Sequence, residues 1–247
     1  MSTIIEGIDE SLVQRICILR DGIVKGKYVL YWMKHAVRAH ENPALDVALQ
    51  SSAKLSLPLL VYHEIAEDEP YASDRRFAFE IEGARDVQQE LLLRSIDYLF
   101  YIQRRHANSL LEQLAGEAAV IVAEDMPVPS ERVAKQRLID NSTAPILLVD
   151  TACIVPMQVA GKPYTRAFAY RQATAKERAS RLKAIYNEID YRPAPLPKGI
   201  FAATQISLEQ LDLKSLLAPL DIDCRRRCKS AEIQRGCSKN PFKFAWS

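Results

Sequence analysis

Several side chains with stacking or hydrogen-bonding groups lie at the ends of short apolar runs. An indole, a thioether and a guanidinium can stack on a planar aromatic ligand, while carboxylates can bond its polar edge. The alternative is that Trp32 and Met33 complete the core, since a tryptophan at a strand end is usually buried. The residues at or just past the runs are Trp32, Met33, Lys34, Arg38, His63, Glu64, Glu124, Asp125, Met126 and Asp150.

These side chains come together only if the apolar runs are strands of one sheet. The runs cover residues 28–33, 57–62, 98–102, 118–123 and 145–149, and each is short and almost wholly apolar. Runs of this kind predict strands that are buried on both faces, as in a parallel sheet. Ligands of open parallel sheets bind at the carboxyl ends of the strands, where all of these side chains would lie.

Helical patterns separate the predicted strands. In residues 74–95 apolar side chains recur every three or four positions, and polar residues fill the other face. Shorter patterns occupy 43–55, 109–114 and 130–140, and Ser109 with Glu112 has the spacing of a capping box. This alternation predicts an α/β fold in which a doubly wound, parallel, five-stranded sheet spans residues 28–158.

Patterns for other chemistries are incomplete. Gly22, Gly26 and Lys27 resemble a phosphate-binding loop, but their spacing is one residue short and no serine or threonine follows. The chain has no GxSxG nucleophile motif, and its four histidines lack the spacing of zinc ligands. We therefore predict no catalytic residue and no metal site.

Charge is distributed unevenly along the 247 residues. The net charge is +2, but residues 224–247 hold seven basic residues and one acidic residue, so the remainder is mildly acidic. Basic residues within 166–192 could contact nucleic acid, and a solvated helix face is the alternative interpretation. No apolar run reaches the roughly 20 residues of a membrane span, and signal-peptide features are missing. We expect a cytoplasmic protein without membrane contact.

The sequence predicts four segments. Residues 1–27 form an N-terminal helical arm, and residues 28–158 form the α/β domain. Residues 159–223 form a helical extension, in which Thr174 opens a helix that runs to 188, a proline-rich linker covers 191–199, and Ser207 with Gln210 caps a last helix through 217. Residues 224–247 form a basic, cysteine-containing tail with no ordered element.

Three segments resemble the class II photolyases, in the same order as in that family. They are GKYVLYWMKHAVRAHENPALDVALQSSAKLSLPLLVYHEI (26–65), YASDRRFAFEIEGARDVQQELLLRSIDYLFY (71–101) and VDTACIVPMQVAGKPYTRAFAYR (149–171). The first domain of that family is a Rossmann-like sheet without the glycine fingerprint. The resemblance therefore implies the same fold class that the alternating pattern predicts.

The resemblance also implies which activities to expect. Photolyases repair ultraviolet-induced pyrimidine dimers by electron transfer from reduced FAD, and their flavin and DNA pockets belong to a helical C-terminal domain. We expect that domain and its FAD site to be absent here, so that contact with DNA is only indirect. The α/β domain of the family can hold an antenna pigment such as a deazaflavin, a folate or a flavin. The residues that the resemblance assigns to such a pigment are Tyr31, Trp32, Met33, Arg38, Glu124 and Asp125.

Three functional hypotheses follow from the resemblance. The preferred one is a truncated photolyase relative that keeps the antenna-type domain and does not repair DNA alone. The second is one half of a split photolyase, which is completed by a separate FAD-binding domain in trans. The third is a protein-interaction module, which predicts an exposed apolar patch within residues 200–217.

Overall fold

One six-stranded sheet forms the centre of the molecule, with helices on both faces. The computed structural model describes residues 3–69, 71–128, 130–197, 206, 208, 212–220 and 222. The strands are β1 (Ile16–Arg20), β2 (Tyr28–Met33), β3 (Leu59–Ala66), β4 (Asp97–Gln103), β5 (Ala118–Glu124) and β6 (Ile146–Val149).

Helices connect the parallel strands and also follow the last strand. They are α1 (Glu10–Val13), α2 (Pro43–Leu55), α3 (Asp74–Leu93), α4 (Leu110–Glu117), α5 (Ser130–Asn141), α6 (Met157–Ala160), α7 (Ala167–Ala173), α8 (Ala175–Arg181) and α9 (Leu213–Leu217), with a 3₁₀ turn at Thr3–Ile5. Each of α2 to α5 joins two consecutive parallel strands, whereas α6 to α9 come after β6. None of the described helices is both long and apolar enough to cross a bilayer.

The strand order places a crevice at the middle of the sheet. The order is β1-β6-β5-β2-β3-β4, in which β1 is antiparallel to β6 and the other five strands are parallel. From β2 the chain winds outward through β3 to β4, and then returns through α4 to β5 on the other side of β2. The winding reverses between β2 and β5, and the carboxyl ends of strands at such a reversal are where open α/β sheets bind ligands.

Burial on both faces explains why the strands read as continuous apolar runs. Alternate β2 side chains enter different cores: Tyr31 and Met33 pack in the core that contains Phe77 of α3, and Trp32 packs in the core that contains Leu111 of α4. All six residues of β2 are buried. When helices cover both faces of a parallel strand, neither set of alternate side chains is exposed to solvent, so neither needs to be polar.

The predicted α/β fold class is confirmed, with one strand more than predicted. All five predicted strands are present, and so are the four helices predicted between them. β1 lies in residues 1–27, where we predicted a helical arm, so that part of the prediction is wrong for Ile16–Arg20. As an edge strand, β1 pairs only with β6 and is mostly half-buried. Its residues Ile16 to Leu19 form a short apolar run that the sequence analysis did not assign to a strand.

The segment after β6 also departs from the predicted form. α8 ends at Arg181 instead of continuing to 188. Thr174 makes no side-chain cap for α8, because its hydroxyl donates to the carbonyl of Tyr170 at 2.8 Å. The predicted cap at Ser207 and Gln210, much of the predicted patch at 200–217, and the whole tail at 224–247 lie outside the described residues.

The connection from β1 to β2 lies close against the amino ends of β6 and β5. Ile23 donates its amide to the carbonyl of Thr143, just before β6, at 2.9 Å. A Cβ atom built on Gly26 would lie 2.3 Å from the backbone carbonyl carbon of Ala118, the first residue of β5. Position 26 therefore requires glycine, because the backbone of β5 lies too close to it to leave room for a side chain.

Two glycine-to-alanine changes should have opposite effects on stability. Gly26→Ala forces the connection away from β5 and should lower the free energy of unfolding by about 1–3 kcal/mol. Gly83→Ala adds the same methyl group within α3, where no atom lies within 4 Å. It should raise the free energy of unfolding by about 0.5–1 kcal/mol, because alanine favours a helix more than glycine does. Urea unfolding of both variants measures the difference, and equal effects would contradict the close approach at Gly26.

Candidate ligand-binding site

A charged cleft opens at the carboxyl ends of β2 and β3. It has a volume of about 750 Å³, and residues of the β2 loop, the β3 end, α3 and α5 line it. This volume falls in the range of pockets that bind small molecules. We call it the rim cleft, and its charged lining includes Lys34, Arg38, Glu64, Arg76, Glu80 and Glu131.

Lys34 links the two sides of the rim cleft. Its Nζ lies 3.5 Å from Glu69 Oε1, in the connection between β3 and α3, and 3.3 Å from Glu131 Oε1 in the first turn of α5. The same ammonium lies 5.4 Å from the centre of the Trp32 ring, within the range of a cation–π contact. His35 Nε2 lies 3.3 Å from Glu131, and the hydrogen bond from His35, followed by the charge of Lys34, lowers the pKa of Glu131.

The remaining carboxylates of the rim cleft are partly buried. Arg76 bonds Glu69 and donates from Nε to Glu80 Oε1 at 2.8 Å, while Glu80 Oε2 is buried with no hydrogen-bond partner among the described residues. Burial raises the pKa of Glu80. Glu64 accepts a hydrogen bond from the Tyr62 hydroxyl at 2.5 Å, and burial raises its pKa as well. One carboxylate oxygen of Glu80 therefore makes no hydrogen bond within the described residues.

His63 forms part of the floor of the rim cleft. The side chain is only 2% exposed, and its Nδ1 lies 2.7 Å from the Tyr98 hydroxyl. Burial lowers the pKa of His63 to about 4, so the imidazole is neutral at neutral pH. A neutral imidazole adds a polar contact to the floor without adding charge.

Glu124 fixes the loop that carries Lys34. One carboxylate oxygen accepts from the Tyr31 hydroxyl at 2.9 Å and from the Lys34 amide at 3.2 Å. The other accepts from the amides of His35 and Ala36 at 2.8 and 2.9 Å. Glu124 is 4% exposed, so these four hydrogen bonds occupy a carboxylate that water scarcely reaches. Its role in the observed geometry is to position the β2 loop beside β5.

The three β2 residues assigned to a pigment differ in what they can reach. Tyr31 and Met33 are fully buried beneath α2 and α3. Trp32 is 4% exposed, its indole N–H has no hydrogen-bond partner among the described residues, and it lines a second cavity of about 450 Å³. This side cavity adjoins the rim cleft through Lys34, Glu64 and Glu69, which line both.

The other assigned residues also lie at the carboxyl edge of the sheet. Arg38 lines the rim cleft and donates from Nε to the Glu41 carbonyl at 3.1 Å. Asp125 pairs with Lys135 of α5 at 2.8 Å. Their contact with a ligand, like that of Glu124 and the β2 residues, stays a prediction.

Sequence reasoning missed the contribution of α3 and α5 to the cleft. Arg76, Glu80 and Gly83 of α3 line it together with Phe79, a ring that is 78% exposed. Their spacing of three, four and seven positions places them on one helix face. That spacing was the available signal, but it was indistinguishable from the ordinary polar face of an amphipathic helix.

The sheet order and the cleft at the carboxyl ends of β2 and β3 define a Rossmann-like α/β domain. A family model for DNA photolyase matches residues 29–196. Because this match covers most of the chain, the chain belongs to the DNA photolyase family.

Similar proteins match part of the chain. A deoxyribodipyrimidine photo-lyase of Methanothermobacter thermautotrophicus is 32% identical over 137 residues, which are 56% of this chain and 30% of that relative. The chain thus matches less than a third of that relative's length. An archaeal photolyase structure from Sulfolobus tokodaii with two FAD molecules has a TM-score of 0.47 and 13% identity, over 60% of this chain and 34% of that one. A universal stress protein from Archaeoglobus fulgidus has a TM-score of 0.34 and 14% identity, over 50% and 98%.

Removing the Glu124 carboxylate should destabilise the fold. Glu124→Ala leaves the Tyr31 hydroxyl and three backbone amides without their acceptor and should cost about 2–4 kcal/mol of unfolding free energy. Glu90→Ala, at an exposed position of α3, is the matched control and should change it by less than about 0.5 kcal/mol. Chemical denaturation compares the two, and similar small losses would contradict the positioning role.

The buried His63 should make stability depend on pH. Its pKa is about 4 in the folded chain and 6.5 in the unfolded chain, so the unfolded state binds more protons between these values. Stability should therefore fall as the pH is lowered from 6.5 towards 4, by up to about 3 kcal/mol. His63→Gln keeps an acceptor for Tyr98 but cannot titrate, so the difference between the two denaturation profiles isolates the imidazole. Parallel profiles would contradict a neutral buried His63.

Proposed function

We propose that this chain provides the antenna-type α/β domain of a class II photolyase and does not repair DNA by itself. The rim cleft would hold a planar pigment such as a deazaflavin, a folate or a flavin. The observation that carries the proposal is the position of this cleft, at the carboxyl ends of β2 and β3 beside the strand reversal, in a chain of the DNA photolyase family.

The lining of the rim cleft fits a heterocycle with an anionic substituent. Phe79 offers an exposed ring for stacking, and the unpartnered Oε2 of Glu80 could accept a hydrogen bond from a ring N–H. Lys34 and Arg38 supply positive charge for an acidic tail of the pigment. A bound pigment would absorb light and pass the excitation energy to a flavin elsewhere in a complete photolyase.

Two observations support the view that repair needs a further domain. The matched region corresponds to 30% of the length of the curated relative. Among the described residues, the helices after β6 are four to seven residues long, and α6 to α8 bury none of their own residues. We infer that these described helices alone do not enclose a flavin. A helical FAD-binding domain is the partner that this proposal requires for repair.

The class II assignment rests on the three ordered segments at 26–65, 71–101 and 149–171. Its functional consequence can be tested with ultraviolet-damaged DNA. The chain with added FAD, a reductant and blue light should leave pyrimidine dimers intact, and addition of a helical photolyase domain tests repair in trans. Light-dependent repair by the chain and FAD alone would contradict the proposal that a further domain is needed.

Pigment binding should be visible by absorption and measurable by titration. The purified chain should either absorb in the near-ultraviolet to blue range or bind a deazaflavin, a folate or a flavin when each is added separately. Lys34→Met should weaken the affinity about ten-fold or more, because it removes the central cation of the rim cleft. Lys25→Met, an exposed lysine at the amino end of the sheet, is the control and should bind as the wild type does.

A second variant tests the tryptophan that supports Lys34. Trp32→Ala removes the ring beneath the Lys34 ammonium and should abolish the pigment band, while circular dichroism reports whether the chain remains folded. An unchanged band in a folded variant would remove Trp32 from the site. Failure of all three pigments to bind the wild-type chain would refute the antenna role itself.

A further inference from the structure

The segment after α6 carries a concentration of positive charge. Residues 162–183 contain seven basic residues and one acidic residue, a net charge of +6. The other residues up to 223 carry a net charge of −10. We call this segment the basic helical face, and its cations are Lys162, Arg166, Arg171, Lys176, Arg178, Arg181 and Lys183.

The basic helical face packs against little of the molecule. α7 and α8 bury none of their residues, and Thr174 between them is the one buried residue of the segment. Phe168 is 73% exposed, although burying a phenyl ring away from water is favourable in free energy. Of the seven cations, only Arg181 forms a salt bridge with a residue that the structure describes, at 3.3 Å from Glu177. Of the other six, five are exposed and Arg178 is half-buried, and none has a described counterion.

Local contacts hold these cations in a defined arrangement. The Thr174 amide and hydroxyl both donate to the Tyr170 carbonyl, which joins α7 to α8. Tyr170 also packs edge-on against Tyr164, with ring centres 5.6 Å apart. Arg181 donates to the side chain of Gln14, which ties the segment to the N-terminal region. The face is thus an ordered scaffold that displays charge.

We propose that the basic helical face binds the phosphate backbone of nucleic acid without sequence specificity, with Phe168 stacking on an unpaired base. Four of these cations lie on α7 and α8, and the other three lie just outside them. Cations spaced along such a segment match a polymer whose negative charges repeat at short intervals. An exposed aromatic ring among such cations is the combination that binds single strands. The acidic remainder of the chain favours an approach of nucleic acid at this face over other parts of the described surface. This inference does not depend on a pigment in the rim cleft.

Binding of labelled oligonucleotides in the dark tests the proposal. Fluorescence anisotropy should show that the full chain binds single-stranded and duplex DNA with an affinity that falls steeply as salt rises. The fourfold variant Arg171→Ala, Lys176→Ala, Arg178→Ala and Lys183→Ala should bind at least ten-fold more weakly at low salt. Its plot of log affinity against log salt should be shallower by roughly 3 to 4, the number of phosphate contacts removed.

Matched controls separate this face from general charge. Alanine at Lys25, Lys27, Lys54 and Arg75, four exposed cations outside the segment, removes the same charge and should weaken binding less than three-fold. Alanine at Arg225, Arg226 and Arg227 tests the basic tail. Equal losses in the fourfold and control variants, or a loss confined to the tail variant, would overturn the proposal.

Phe168→Ala separates stacking from charge. It should weaken single-strand binding about five-fold or more and leave the salt dependence unchanged.

Circular dichroism should show that every variant keeps its helices, since alanine favours helix at exposed positions. Absence of nucleic-acid binding by the wild type would overturn the proposal and leave an acidic protein as the partner of this face. Pigment affinity of the fourfold variant should match the wild type, so failure here is distinguishable from failure of the antenna role.

Discussion

The arrangement of the site depends on one buried carboxylate at the point where the winding of the sheet reverses. Glu124 ends β5, and its two oxygens accept three consecutive amides of the loop after β2 together with the Tyr31 hydroxyl. Because a buried carboxylate is stable only when it is well bonded, the loop is held in the conformation that satisfies it. Lys34 leaves this loop towards Glu69 and Glu131, so the charge pattern of the rim cleft follows from that constraint.

The pattern of the sequence was sufficient for the parallel part of the fold because burial on both faces leaves a strong signal. The runs that became β2, β3, β5 and β6 are apolar at almost every position, and helices of ordinary amphipathic spacing separate them. β1 escaped prediction because its apolar run, Ile16 to Leu19, is only four residues long and lies between Arg15 and Arg20. The early end of α8 at Arg181 escaped because residues 182–188 contain no glycine or proline that would mark it. The missing cap escaped because the capping-box spacing at Thr174 does not reveal that its hydroxyl bonds back to Tyr170.

The site was harder to predict than the fold because the two depend on different information. Sequence reasoning pointed to the carboxyl edge of the sheet, where the rim cleft lies, but it could not tell which residues at the strand ends face a cavity. Glu124 was expected to bond a ligand, which stays a prediction; the sequence did not reveal that its carboxylate accepts four hydrogen bonds from the chain. The charged wall from α3 depends on how that helix packs over β3, and no local pattern encodes this packing. Arg76 and Glu80 therefore read as an ordinary ion pair on a helix surface.

The position of β1 has a consequence for how the protein is made. β1 is translated before the other five strands of the sheet, yet its partner is β6. The connection from β1 to β2 also packs closely, at Gly22 and Gly26, against the amino ends of β6 and β5. A ribosome adds residues at about 5–20 per second, so the first strand waits on the order of ten seconds for its partner to emerge. The first strand of this sheet to be made is therefore among the last to pair.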